Sequence, residues 1–157
     1  MKFTKLNVVI TILIVAALPI SKAACQDDIK QAIQSDKWIF VAQSANPQGG
    51  RTQFLTSRYE FRKSKDTISS YLPYYGRSYS AAGAMTNTNP LDFTSSNFTI
   101  EKKEKKKGGW QVTIKFKDVN AVRTMVFELY ENGSANLNVT LTDRSPITFL
   151  GKVEPLK

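Results

Sequence analysis

Apolar and polar side chains alternate along much of this chain, the spacing that turns one side of a strand to a core and the other to water. The clearest case is "WQVTIKFKDV", where Trp110, Val112, Ile114 and Phe116 oppose Gln111, Thr113, Lys115 and Lys117. In "ANLNVTLT", Leu137, Val139 and Leu141 oppose Asn136, Asn138 and Thr140. "TQFLTSRYEFRKSK" sets Leu55, Tyr59 and Phe61 against Arg58, Glu60 and Arg62. With "KWIFVAQS", "DTISSYLPYY", "FTSSNFTIEKKEK", "AVRTMVFELY" and "PITFLGKVEP", the pattern predicts about eight strands joined by short turns. Gly108-Gly109 and Asn132-Gly133 supply turn chemistry. Only "QDDIKQAIQSDKW" has helical spacing, with Ile29, Ala32 and Ile33 on one face. The fold class is therefore mainly β: one antiparallel meander or small barrel with a short N-terminal helix.

The first residues follow a different rule. Lys2 and Lys5 precede the apolar "NVVITILIVAALP", and small residues follow in "SKAAC". That order predicts a signal peptide over residues 1–23, cut after Ala23, and one β-domain over 24–157. The apolar run from Val8 to Leu18 is shorter than the roughly 20 residues a spanning helix needs. The expected location is periplasmic. Cys25, the single cysteine, opens an alternative: cleavage just before it and acylation, giving an outer-membrane lipoprotein. Lys22 departs from that pattern, and one cysteine cannot form an intrachain disulfide.

Charge narrows the partners. The whole chain carries 22 basic and 13 acidic residues, and the leader holds three of the basic ones, leaving a mature net charge of +6. An exported protein has little occasion to meet nucleic acid, so anionic envelope lipids or polysaccharides are the candidates for a basic surface. "EKKEKKKGG" reads as a solvated hairpin tip whose lysines protect a strand edge. The chain has no histidine, so a histidine-based triad is impossible and the commonest metal ligand is missing. Glu60, Asp66, Asp92 and Glu128 are available carboxylates, but their spacing pairs none of them for acid–base work. The expectation is no enzyme, no cofactor and no metal. "DTI" around Thr67 matches a short O-glycosylation motif, and a strand start explains it equally.

One stretch stands apart. "YLPYYGRSYS" packs four tyrosines and an arginine into residues 71–80. If extended, it puts Tyr71, Pro73, Tyr75, Arg77 and Tyr79 on one side and Leu72 and Tyr74 on the other. Pro73 and Gly76 favour a bend or sheet edge. Two uses compete. Tyr71, Tyr75, Arg77 and Tyr79 could rim a ligand site with Trp38 as a wall. Alternatively the segment crosses an open barrel end, its rings packing the core and its hydroxyls bonding loop backbone.

"WIFVAQSANPQGGR", "YLPYYGRSYSA", "NGSANLNV" and "GKVEPL" together resemble an uncharacterised Bacteroidetes family, domain-of-unknown-function family 4251, over nearly the whole mature chain. "AAGAMTNTNP" departs from the more glycine- and proline-rich loop expected there. The resemblance implies an exported or lipid-anchored protein with a lipocalin-like β-barrel, and implies no activity. The expected function is a non-enzymatic envelope protein binding a small apolar or amphipathic ligand. The alternative is a module contacting an envelope protein or glycan through the outside of a side-chain-filled barrel.

Overall fold

A computed structural model describes residues 21–81, 88–106 and 108–156, with side chains in the first helix from Asp27 onward. Most of the expected signal peptide and the centre of "AAGAMTNTNP" lie outside the described residues. Helix α1 (Ser21–Gln34) leads into nine strands: β1 (Trp38–Pro47), β2 (Gln53–Lys63), β3 (Ile68–Tyr71), β4 (Asp92–Ser95), β5 (Phe98–Glu104), β6 (Trp110–Phe116), β7 (Val122–Leu129), β8 (Ser134–Leu141) and β9 (Ile147–Pro155). They form one sheet in the order β4-β3-β2-β1-β9-β8-β7-β6-β5, and the pairings are antiparallel. The first and last strands pair, so a simple meander curls into a nearly closed barrel.

The ninth strand comes from one bend. "FTSSNFTIEKKEK", expected as a single strand, breaks at Ser96-Asn97, and the inward phase changes there from Phe93 and Ser95 to Phe98 and Ile100. Its first part, β4, pairs with β3 and its second, β5, with β6. The Asp118 carboxylate fixes the bend, accepting from Ser95 Oγ at 2.6 Å, Ser96 N at 3.0 Å and Asn97 N at 3.1 Å. Those bonds, the Ser95 hydroxyl first, hold the Asp118 carboxyl below its usual range. Phe93 and Phe116 meet edge to face across the bend at 5.0 Å. β5 is the outer strand of the order, and its lysines sit on that edge: Lys103 pairs with Glu101 at 2.8 Å, and Lys105, just past it, with Glu128 at 2.7 Å. Charged side chains on an open edge discourage pairing with another chain.

Large side chains point into the interior. Trp38, Phe40, Phe61, Ile114, Met125, Phe127, Leu137 and Phe149 are all fully buried. Phe127 is central, its ring centre 4.7 Å from Phe61, 5.0 Å from Trp38 and 5.6 Å from Phe40. The sheet curls around these rings with help from β1, whose register shifts between Ala42 and Ser44 on both flanks. Gly151 lies opposite Ala42 there, and a Cβ on it would overlap the Val41 carbonyl oxygen.

Helix α1 covers the end where β1 begins, with Ile29, Ala32 and Ile33 buried beneath it. Lys102 of β5 donates to the Ile33 carbonyl at 3.0 Å and pairs with Asp36 at 2.8 Å, tying the helix end to the sheet edge. Close by, Lys63 is fully buried. Its ammonium donates to the carbonyls of Ser64 and Lys65 and sits 5.1 Å from the centre of the Phe98 ring. Burial lowers its pKa; Asp36 opposes that shift and Lys102 adds to it. A depressed lysine pKa penalises the folded state while the amine is charged. The penalty therefore persists below the folded pKa and is relieved as pH rises from there toward the ordinary lysine value of about 10.4. Urea midpoints of the native chain should climb through that window, and those of Lys63→Met should not. Parallel curves for the two proteins would contradict this placement of the charge.

A tyrosine strap across the barrel end

β3 stops at Tyr71, two residues before a proline that has no N–H for the ladder. The chain then crosses the barrel end opposite α1 and docks on the turn between β8 and β9. Tyr74 carries that docking. Its hydroxyl donates to the Ser145 carbonyl at 2.8 Å, with the Arg77 carbonyl at 3.2 Å and Ser145 Oγ at 3.2 Å. Arg77 N donates to Ser145 Oγ, and Ser145 N donates back to the Arg77 carbonyl, both at 2.9 Å. Ser78 bridges Arg144, and Tyr79 N donates to the Asp143 carbonyl at 2.8 Å. Burial, the main cause, raises the Tyr74 pKa, so this hydroxyl keeps its proton and works as a donor. Gly76 is required by the packing, since a Cβ there would fall on the Tyr74 hydroxyl and Ser145 Oγ.

The strap has two sides. Leu72 and Pro73 are buried and Tyr74 half-buried, closing the barrel end. Tyr71, Tyr75 and Tyr79 are 52%, 46% and 69% exposed, and Arg77 is exposed with them. Tyr71 also stacks on Tyr59 at 5.5 Å. Of the five residues proposed for a site, four thus face outward on one segment. The fifth, Trp38, stands apart in the core against Phe61 and Phe127. Its indole nitrogen is buried without an acceptor among the described residues.

Tyr74 and Ser145 are residues the sequence reading did not single out, although the phase that sets Tyr74 opposite Tyr75 was visible. Replacing Tyr74 with Phe keeps the ring and removes the bond to Ser145. It should cost about 1–1.5 kcal/mol and speed amide exchange at Arg77 and Tyr79 while leaving the β1–β9 ladder protected. Uniform loss of protection would contradict a local role.

Cations divide between the ends. Among the described loop residues, Arg51, Arg77 and Arg144 lie at the strap end with Lys117, whereas Lys37, Lys65, Lys105 and Lys106 lie at the helix end. Arginine and tyrosine are enriched at binding interfaces and lysine is depleted. Beside the strap, a groove of about 230 Å³ runs between Thr88, Pro90, Asn120, Thr142, Asp143 and Arg144.

Two of the carboxylates considered for acid–base work, Glu60 and Glu128, are engaged by cations. Burial raises the Glu60 pKa, but bonds from Arg62 and from Arg58 at 2.9 Å outweigh it and leave the group below its usual range. Glu128 is likewise lowered, by Lys105 first and then by Tyr130, whose hydroxyl lies 3.2 Å away. Among the described residues, no helix is long and apolar enough to cross a membrane.

Comparison with known proteins adds the family. No curated protein matches the chain. A similar fold occurs in the 1.95 Å crystal structure of a DUF4251 family protein from Bacteroides eggerthii DSM 20697, at a TM-score of 0.61 and 13% identity over 85% of this chain and 89% of that one. The model of a domain of unknown function, DUF4251, matches residues 21–153. This chain belongs to the DUF4251 family.

Proposed function

We propose that this protein is a non-enzymatic binding module of the cell envelope that engages its partner from outside the barrel, at the strap end. The observation that carries this reading is the division of aromatic residues. The core holds Trp38, Phe40, Phe61, Phe127 and Phe149 in one buried cluster, while among the described residues the exposed large apolar side chains are Phe54, Tyr71, Tyr75, Tyr79 and Leu150. Tyr75 and Tyr79 are on the strap, and Tyr71 ends the strand that leads into it. Phe54 and Leu150 flank Ser44 from either side on the outer face. Exposed aromatic side chains gathered in one region mark an interaction surface. Export rests on the order of basic, apolar and small residues over 1–23, with a lipid anchor at Cys25 as the alternative form.

A second reading, a small apolar or amphipathic ligand inside the barrel, draws on the buried Trp38 indole, which has a donor to offer an interior guest. A native mass spectrum of protein purified gently from its own cells separates the two. The outer-face reading predicts the mass of the mature chain alone, with any acyl group at Cys25 surviving denaturation. An extra mass lost on denaturation would favour the interior ligand.

A further inference from the structure

We propose that the strap end binds a carboxylated saccharide chain, with Arg77 taking a carboxylate between the exposed rings of Tyr75 and Tyr79. This rests on the outer-face reading and adds the partner's chemistry. Arg77 is exposed, and among the described residues its guanidinium pairs with no carboxylate. Its backbone is held on both sides by Ser145, so the guanidinium is presented from a fixed platform. A planar fork of donors matches a carboxylate through two parallel bonds. Tyr75 and Tyr79 flank it at alternate positions, 46% and 69% exposed. Each offers a flat apolar face with a hydroxyl at its tip.

The surroundings favour sugar over protein. A protein interface has an apolar core depleted of charged groups, whereas the adjoining groove, beside Pro90 and Ala121, is lined by Thr88, Asn120, Thr142, Asp143 and Arg144. Hydroxyl, amide and carboxylate groups suit the hydroxyl edge of a saccharide. A second copy of the chain is disfavoured because the loop arginines of this end would face their counterparts.

The test is titration calorimetry of the mature chain with oligogalacturonate, its carboxyl-reduced neutral counterpart, and oligoglutamate. The inference predicts binding of oligogalacturonate, loss of binding on carboxyl reduction, and a weakening of about tenfold or more in Arg77→Ala. Tyr75→Ala and Tyr79→Ala should each weaken it several-fold. Lys65→Ala and Lys106→Ala, at the other end, should leave it unchanged. All five variants alter exposed side chains, and unchanged near-UV circular dichroism would verify their folds. Sensitivity to the lysine variants and indifference to Arg77→Ala would overturn both this site and the strap-end reading. Absence of oligogalacturonate binding, with or without oligoglutamate binding, would overturn the saccharide alone. Photo-crosslinking from the strap, described below, judges the strap-end reading separately.

Discussion

Phe127→Ala should destabilise the protein by about 3–5 kcal/mol, the range for removing a buried aromatic ring. Phe127 is fully buried and touches the rings of Trp38, Phe40 and Phe61, so its loss would strip contacts from three neighbours at once. These neighbours sit on strands whose backbone is fixed by ladder bonds, and they can collapse into the void only in part. Urea denaturation gives the difference, with Phe127→Leu retaining most of the stability. The result bears on function. A loss under about 1 kcal/mol would mean that the interior tolerates empty space, as a ligand-holding barrel must, and would argue against the filled-barrel reading.

The second large effect belongs to a residue with no side chain. Gly151→Ala should cost as much as the upper part of the about 1–3 kcal/mol range for overpacking, or exceed it. The added methyl would overlap the Val41 carbonyl and crowd the Phe40 ring. Val41 is the residue before Ala42, where the register of β1 shifts, so the backbone cannot yield there without undoing the bulge that turns the sheet. The pairing of β1 with β9 brings the first and last strands together, and damage at this point should open the barrel cooperatively. Loss of amide protection along both strands, measured by hydrogen exchange, would accompany the fall in stability. A stable Gly151→Ala variant with intact β1–β9 protection would contradict the close approach.

The strands themselves were legible because most have one face toward a core, and a period of two survives local irregularity. The β4–β5 bend was not legible. The inward phase slips from Phe93 and Ser95 to Phe98 and Ile100, but the polar residues between them do not mark the bend, and its cause, the Asp118 carboxylate, lies 21 to 23 residues away in sequence. Lys63 shows a second limit. It continues the inward phase of Phe61, but a lysine at that position reads as solvated until the carbonyls of Ser64 and Lys65 are seen to turn back on it. In the strap, the alternation of Tyr71, Tyr75, Arg77 and Tyr79 against Leu72 and Tyr74 was readable. Which side faced water was not, because that depends on docking to Ser145, far along the chain. Trp38 failed to join the tyrosines for the same reason: pattern gives the phase within a strand, and contacts between distant segments decide what gathers into a surface.

The central claim is that the protein meets its partner at the strap end. It is tested most directly by photo-crosslinking in the native cells, with a photoreactive side chain placed singly at Tyr75, at Tyr79, and at Lys106 on the opposite end. The account predicts a defined adduct from Tyr75 and Tyr79 and none from Lys106. Adducts from Lys106 with none from either tyrosine position would contradict it.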